Sequence, residues 1–229
     1  MALPPQTNQA FLREVDDELR RDQFESFWKR WGKGLVVAVV VGLVLLAGLL
    51  YWQHRKAEAR DAAGEKLSGL LDELDRGNQA NAPKVIADLQ TAGPGYKAAA
   101  TLLKADLAQS KGDLAGATAG FRAVHDDASL PQPYRDAALV RLVGATFDTT
   151  PPAQVIATLK PLAAPGNPWF GSAGEMSALA HLKMGQLDQA AALFAAVAAD
   201  KGAPESVRAR AGQMASSLGR DIGATGAAQ

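Results

Sequence analysis

Residues Leu35 to Trp52, LVVAVVVGLVLLAGLLYW, carry no charge, no proline and no strongly polar side chain over 18 positions. At 1.5 Å per residue, a helix of that length is roughly 27 Å long, about the thickness of a bilayer's hydrocarbon core. Its six Val and six Leu favour insertion by about 4 to 7 kcal/mol in sum, less the smaller cost of Gly42 and Gly48. In lipid the backbone has no hydrogen-bonding partner but itself, so even a Val-rich segment is driven into a helix. Trp28 and Trp31 precede the stretch and Tyr51 and Trp52 close it, as membrane-interface anchors at headgroup level. Lys29, Arg30 and Lys33 on one side, with Arg55, Lys56 and Arg60 on the other, keep it from sliding. A transmembrane helix over 35–52 is expected. A buried core helix would rarely be this long between charges, and a cleaved signal peptide would have a shorter segment than 34 residues ahead of it.

The 177 residues after Trp52 are enough for one domain with its own core. Of 24 basic and 24 acidic residues, six of each precede the span, so this domain is electrically balanced and lacks the basic footprint of a nucleic-acid binder. Cysteine is absent, which removes disulfides, thiolate metal sites and Cys nucleophiles together. The domain is rich in Ala and poor in strand signals: no alternating β-branched run and no Asn-Gly turn occur. An all-α fold follows.

Residues 1–9, with Pro4 and Pro5, are expected to be disordered. From Phe11 the apolar residues fall at helical spacing (Phe11, Leu12, Val15, Leu19, then Phe24, Phe27, Trp28, Trp31). This describes an amphipathic helix running into the span, with a break near Asp22. Such a helix either lies on the membrane or docks a partner, or is a stem shielding its own apolar side. Beyond the span, Glu58 to Asp75 reads as helical, with Ala62, Ala63, Lys66, Leu67, Leu70, Leu71 and Leu74 on one face, ended by Gly77 and Asn78.

Self-similarity then decides the fold. Lys111-Gly112-Asp113-Leu114 is followed by Ala117, Phe121 and Val124; Met184-Gly185-Gln186-Leu187 is followed by Ala190, Phe194 and Val197, every pair offset by 73. A degenerate copy, Val155, Leu159 and Leu162, lies between them, and Val85-Ile86-Ala87-Asp88-Leu89 parallels Val155-Ile156-Ala157-Thr158-Leu159. Tyr96, Tyr134 and Trp169 each open a partner helix just after a turn containing Pro94, Pro133 or Pro168. The period of about 32–38 residues is that of a tetratricopeptide-like α-solenoid, about four helix pairs and a capping helix over Pro204–Leu218. Repeats are expected at about 57–91, 96–128, 134–164 and 169–200. Small Ala117 and Ala190 allow close helix approach, Phe121 and Phe194 fill the groove beside them, and Gly112 and Gly185 supply the left-handed residue that ends the first helix of a pair. The domains are therefore read as a 1–34 tail, a 35–52 span, a 53–218 repeat domain and a 219–229 Gly/Ala-rich disordered tail.

This layout resembles the YfgM family of ancillary subunits of the SecYEG translocon. The resemblance is carried by Trp28-Lys29-Arg30-Trp31-Gly32-Lys33, the single span closed by Tyr51-Trp52, and the repeats around Gly95-Tyr96-Lys97-Ala98-Ala99-Ala100 and Lys183-Met184-Gly185-Gln186. It covers roughly residues 24–218 and leaves Phe11 to Asp22 unaccounted for. It implies a single-pass protein of the bacterial inner membrane with a cytoplasmic N-terminus and periplasmic repeats. Its partners would be the SecYEG channel and periplasmic chaperones such as PpiD, and its task a chaperone-like one, assisting protein export. Charge adds a slight bias to the same orientation, with five basic residues near the N-terminal end of the span against four beyond it.

The residues themselves show little chemistry. No H-E-x-x-H, P-loop, G-x-S-x-G or paired-carboxylate signature occurs. His54 borders the span, His125 precedes Asp126 and Asp127, and His181 sits where the repeat consensus carries a packed aromatic. The His125 cluster is the one place for a metal or an enzymatic role; polar residues ending a helix are its ordinary explanation. Gly34, Ala38 and Gly42 stand at four-residue steps, a small-residue face able to pack against another span, composed of residues that spans use anyway. A non-catalytic protein-binding scaffold in contact with the bilayer is expected, without cofactor, small-molecule substrate or nucleic acid. The alternative is a bitopic repeat scaffold of another envelope assembly: cytochrome c maturation, envelope biogenesis or cell division.

Overall fold

The computed structural model describes residues 7–219, with residues 7–32 as backbone only. The chain divides into two compact units, Met1–Asp61 and Ala62–Gln229. The first helix, α1 (Thr7–Asp75), is 69 residues long. The break expected near Asp22 is absent, Thr7 to Gln9 are already helical, and Glu58–Asp75 is the continuation of the same helix. The physical reason is visible in the sequence after the span. No proline follows Trp52 until Pro83, and side chains one turn apart support the helix: His54 Nε2 lies 3.3 Å from Glu58 Oε1, and Lys56 Nζ lies over the Trp52 ring.

In the second unit, α1 ends in a Schellman motif. Gly77 has φ +78°, its N–H donates to Leu74 O at 2.9 Å, and Asn78 N–H donates to Glu73 O at 2.8 Å. Eight more helices follow: α2 (Ala82–Leu89), α3 (Pro94–Ser110), α4 (Leu114–Asp126), α5 (Gln132–Thr146), α6 (Pro152–Leu159), α7 (Phe170–Lys183), α8 (Leu187–Ala199) and α9 (Glu205–Ser217). All described elements are helices. The second helices α4, α6 and α8 each pack both on their own partner and on the first helix of the next pair, α2 packs on α3, and α9 covers α8 and α7. The first helices also touch in order, α3 on α5, α5 on α7 and α7 on α9, whereas α4, α6 and α8 make no comparable contact with one another. This is the tetratricopeptide-like solenoid expected, and α9 is its capping helix.

The two complete repeats are built alike. Gly112 (φ +80°) and Gly185 (φ +72°) end α3 and α7 with the same pair of Schellman hydrogen bonds, to Gln109 and Ala108 and to Leu182 and His181. Phe121, Phe194, Val124, Val197, Ala117 and Ala190 are wholly buried. Glycine extends the close packing that Ala begins. A Cβ on Gly120 of α4 would stand 2.8 Å from Ala105 Cβ of α3, and one on Gly174 of α7 would stand 2.7 Å from Val197 Cγ2 of α8. The core is accordingly a chain of local clusters, with Trp169 packed against both of the middle two.

The degenerate repeats differ from the expectation in detail. Their second helices, α2 and α6, have 8 residues each against 13 in α4 and α8. The Val-Ile pairs that align in sequence exchange roles: Ile86 is buried and Val85 half-buried in α2, whereas Val155 is buried and Ile156 half-buried in α6. With buried Ala82 and Leu89, α2 uses a spacing of four then three residues. Val155, Leu159 and Leu162 repeat that spacing at an offset of 73, so the two repeats match three residues away from the offset of 70 that pairs Val85 with Val155. Pro94 and Pro133 lie inside the first turns of α3 and α5, where a missing N–H costs nothing, and Trp169 is the residue before α7.

Candidate functional site

The apolar part of α1 is the one helix among the described residues long and apolar enough to cross a membrane, and none of its most apolar window is buried by protein. Its side chains are exposed, from Leu35 and Val36 to Tyr51 and Trp52. Arg55 and Lys56 sit over the rings of Tyr51 and Trp52 one turn earlier. The proposed packing face is open: nothing stands within 4 Å of a Cβ built on Gly34 or Gly42, and Ala38 between them is exposed. The side chains of Trp28 and Trp31 lie outside the described residues.

The repeat-signature residues fall into two groups. Gly112 and Gly185 shape turns, while Ala117, Phe121, Val155, Leu159, Ala190 and Phe194 form the core and present nothing to a partner. Leu114 and Leu187, which open α4 and α8, are about half exposed at 53% and 54%. The turns before them are held differently. Asp113 caps α4 by accepting from Gly116 N–H at 2.8 Å, whereas Gln186 places its Oε1 2.6 Å from His181 Nδ1, tying the turn back to α7. That contact gives His181 a local structural partner.

His125 and its neighbours do not converge on a common centre. His125 Nδ1 lies 3.3 Å from Arg135 O, and Arg135 Nε donates to His125 O at 3.1 Å, so the pair bridges α4 and α5. Asp127 turns to Ser129 and Lys97, accepting from Ser129 N–H at 3.0 Å and from Lys97 Nζ at 2.9 Å. These hydrogen bonds, those of Ser129 first, hold its carboxyl down at about 2. No group of three or more His, Asp or Glu among the described residues could hold a metal ion.

A feature with no counterpart in the sequence reading runs along the row of first helices. Asp106 of α3 faces Arg141 of α5 at 3.4 Å. Asp148, just past α5, accepts from Lys183 of α7 at 2.8 Å. Glu175 of α7 is held by Arg210 of α9 through a forked pair whose Nη2–Oε2 arm is 2.7 Å. In every case the base lies 35 residues after the acid, one repeat later. Opposite charges one period apart would have revealed this ladder, but the acids occupy a different turn of each helix, so no local motif marks them. Partial burial raises the Asp106 carboxyl despite Arg141, whereas Glu175 raises the Arg210 guanidinium, chiefly by hydrogen bonding.

Two clefts open on the second unit. One, of about 360 Å³, lies between α2, the C-terminal half of α3 and the turn into α4. The other, of about 270 Å³, is framed by Pro133, Asp136, Pro168 and Trp169 at the starts of α5 and α7.

The tetratricopeptide repeat-like domain family matches residues 25–214, which takes in the span and every repeat. The chain belongs to that family. A relative from Haemophilus influenzae named "Ancillary SecYEG translocon subunit" is 27% identical over 108 residues, 47% of this chain and 53% of that protein. The chain thus spans about half the length of the curated relative it matches. Both findings agree with the YfgM-family resemblance read from the sequence. No solved structure matches the chain. As a tetratricopeptide repeat-like protein, it carries stacked helix pairs and one candidate membrane helix.

Proposed function

We propose that this protein is a membrane-anchored, non-catalytic scaffold associated with the SecYEG translocon, where its repeats assist proteins during export. The observation that carries this reading is the similarity to the ancillary SecYEG translocon subunit of H. influenzae. The exposed apolar segment of α1 supports an anchor at 35–52, dividing a 1–34 tail from a 53–218 repeat domain and a short tail beyond it. The anchor lies in the bacterial inner membrane with the N-terminus cytoplasmic and the repeats periplasmic. Periplasmic chaperones such as PpiD are the further partners, and the role is chaperone-like. Trp28, Trp31, Tyr51 and Trp52 mark the interfaces, and Gly34, Ala38 and Gly42 face a neighbouring span.

Two measurements test this. Protease added to spheroplasts should digest the repeats while sparing the N-terminal tail; full protection of the repeats would reverse the orientation. Affinity purification of the tagged chain from detergent-solubilised membranes should recover the channel. Ala38→Leu with Gly42→Leu should lower that recovery without releasing the protein from the membrane. Recovery of a different envelope assembly, with no channel, would replace this reading with the alternative scaffold.

A further inference from the structure

The larger cleft differs from the rest of the first-helix row in how its charges are used. Of the basic side chains on α3, α5 and α7, four have acceptors: Lys97 on Asp127, Arg141 on Asp106, Lys183 on Asp148, and Arg135 on the His125 carbonyl. Lys104 is the fifth, and among the described residues it has no partner. It stands at the cleft together with Lys111, which is likewise exposed and unpaired among the described residues. The acid at the same rim, Asp113, already accepts from the Gly116 N–H. Between them the lining is mainly apolar, with Ile86 and Leu107 as its largest apolar side chains. A concave apolar floor with a few placed polar groups is the form of a binding site, and about 360 Å³ is within the usual range.

We propose that this cleft binds a short segment of a partner protein in which apolar side chains are flanked by carboxylates. The reading rests on the protein acting as a scaffold and adds the chemistry of what it holds. Charge complementarity sets the flanks: two unpaired ammonium groups outnumber the one carboxylate at the cleft, Asp113, which is held in place by the Gly116 N–H. Lys104 and Lys111 are seven residues apart, so roughly 10.5 Å separates them along the helix axis. A segment in polyproline II conformation, with three residues per turn and a rise of about 3.1 Å, puts residues i and i+3 on one edge roughly 9.3 Å apart. The matching pattern is therefore acid, two apolar residues, acid.

The test uses the full-length protein in detergent micelles and a fluorescent peptide, Gly-Ser-Asp-Leu-Leu-Asp-Gly-Ser, followed by polarisation. Saturable binding tighter than about 1 mM is expected. Replacing both Asp by Lys, or both Leu by Ser, should weaken it at least about tenfold, as should Lys104→Glu in the protein. Ala87→Trp, at an exposed position lining the cleft, should block the peptide by bulk while the thermal melt of the repeats stays unchanged. Absence of saturable binding, or equal binding of the Lys-flanked peptide, would overturn the proposal. Channel recovery measured in parallel separates the two readings. A chain that recovers the channel yet ignores the peptide refutes the cleft assignment alone. One that binds the peptide as described but recovers no channel supports the cleft and refutes the translocon association.

Discussion

Valine and leucine occur in both units, with opposite fates. In the span, Val44 and Leu45 are 65% and 69% exposed; in the repeats, Val124, Val197 and Leu159 are not exposed at all. The span has apolar residues on every side and no preferred face, so a single helix satisfies its backbone and lipid satisfies its side chains. The repeats confine apolar residues to one stripe per helix, and each stripe is closed by the next helix in the chain. The same chemistry therefore asks for different precision. A span needs length and hydropathy. A repeat needs volume, and it interposes Gly120 and Gly174 where only a hydrogen fits.

The largest effect expected is on the buried rings. Phe121→Ala and Phe194→Ala should each cost about 3 to 5 kcal/mol, a fall in melting temperature of roughly 6 to 20 °C for a unit of this size. Phe121, two repeats from the free end, should be the more damaging. Leu45→Ala in the span should leave that melt unchanged, and a repeat melt indifferent to both Phe substitutions would erase the contrast. Overpacking comes next. Gly174→Leu should cost about 1 to 3 kcal/mol because Val197 and Phe170 already occupy the space, whereas Gly42→Leu meets nothing. Circular dichroism melts of both variants would show the difference directly.

Caps and charges should matter less. Asp113→Ala removes the acceptor for Gly116 N–H and should cost about 0.5 to 2 kcal/mol. Each rung of the ladder is at least partly exposed and should contribute about 0.2 to 1 kcal/mol, read by a double-mutant cycle on Asp106 and Arg141. Titration distinguishes two acids of the repeats. Asp127 has its folded value lowered from 3.8 to about 2, so its contribution is fully present above 3.8 and is lost as pH falls through about 2. Asp106 is raised, so its ionisation costs stability above the folded value, and that cost disappears as pH falls to 3.8. Asp127→Asn should therefore destabilise at neutral pH and converge with the parent near pH 2, while Asp106→Asn should not destabilise at neutral pH. Parallel curves for the two variants across that range would contradict both signs.

How much of this was legible in the sequence follows the same division. The span is a compositional signal and is read from Leu35–Trp52 alone. The two complete repeats are legible because a turn glycine, a small residue and a Phe recur at fixed offsets, and each has one structural task. The continuity of α1 is not signalled by any residue; it follows from the lack of a terminator between Trp52 and Gly77, and absences are easily read as boundaries. The register of α2 escapes because Val85-Ile86 and Val155-Ile156 match in residue type, whereas the buried positions Ala82, Ile86 and Leu89 match Val155, Leu159 and Leu162 three residues further along. The ladder and the cleft escape because they join residues of successive repeats at different heights on their helices. Sequence offsets of 35 between opposite charges become meaningful only once the period is known.

Alkaline carbonate extraction of cell membranes, paired with a melt of the repeats, tests most directly that lipid covers one set of apolar residues and neighbouring repeats the other. The parent chain should remain in the membrane pellet. Leu43→Arg with Leu46→Arg should each add about 2.5 to 3.5 kcal/mol to the cost of insertion and move the protein to the supernatant, with the repeat melt unchanged. Extraction of the parent chain by carbonate, or loss of the repeat melt in the double-Arg variant, would contradict that division.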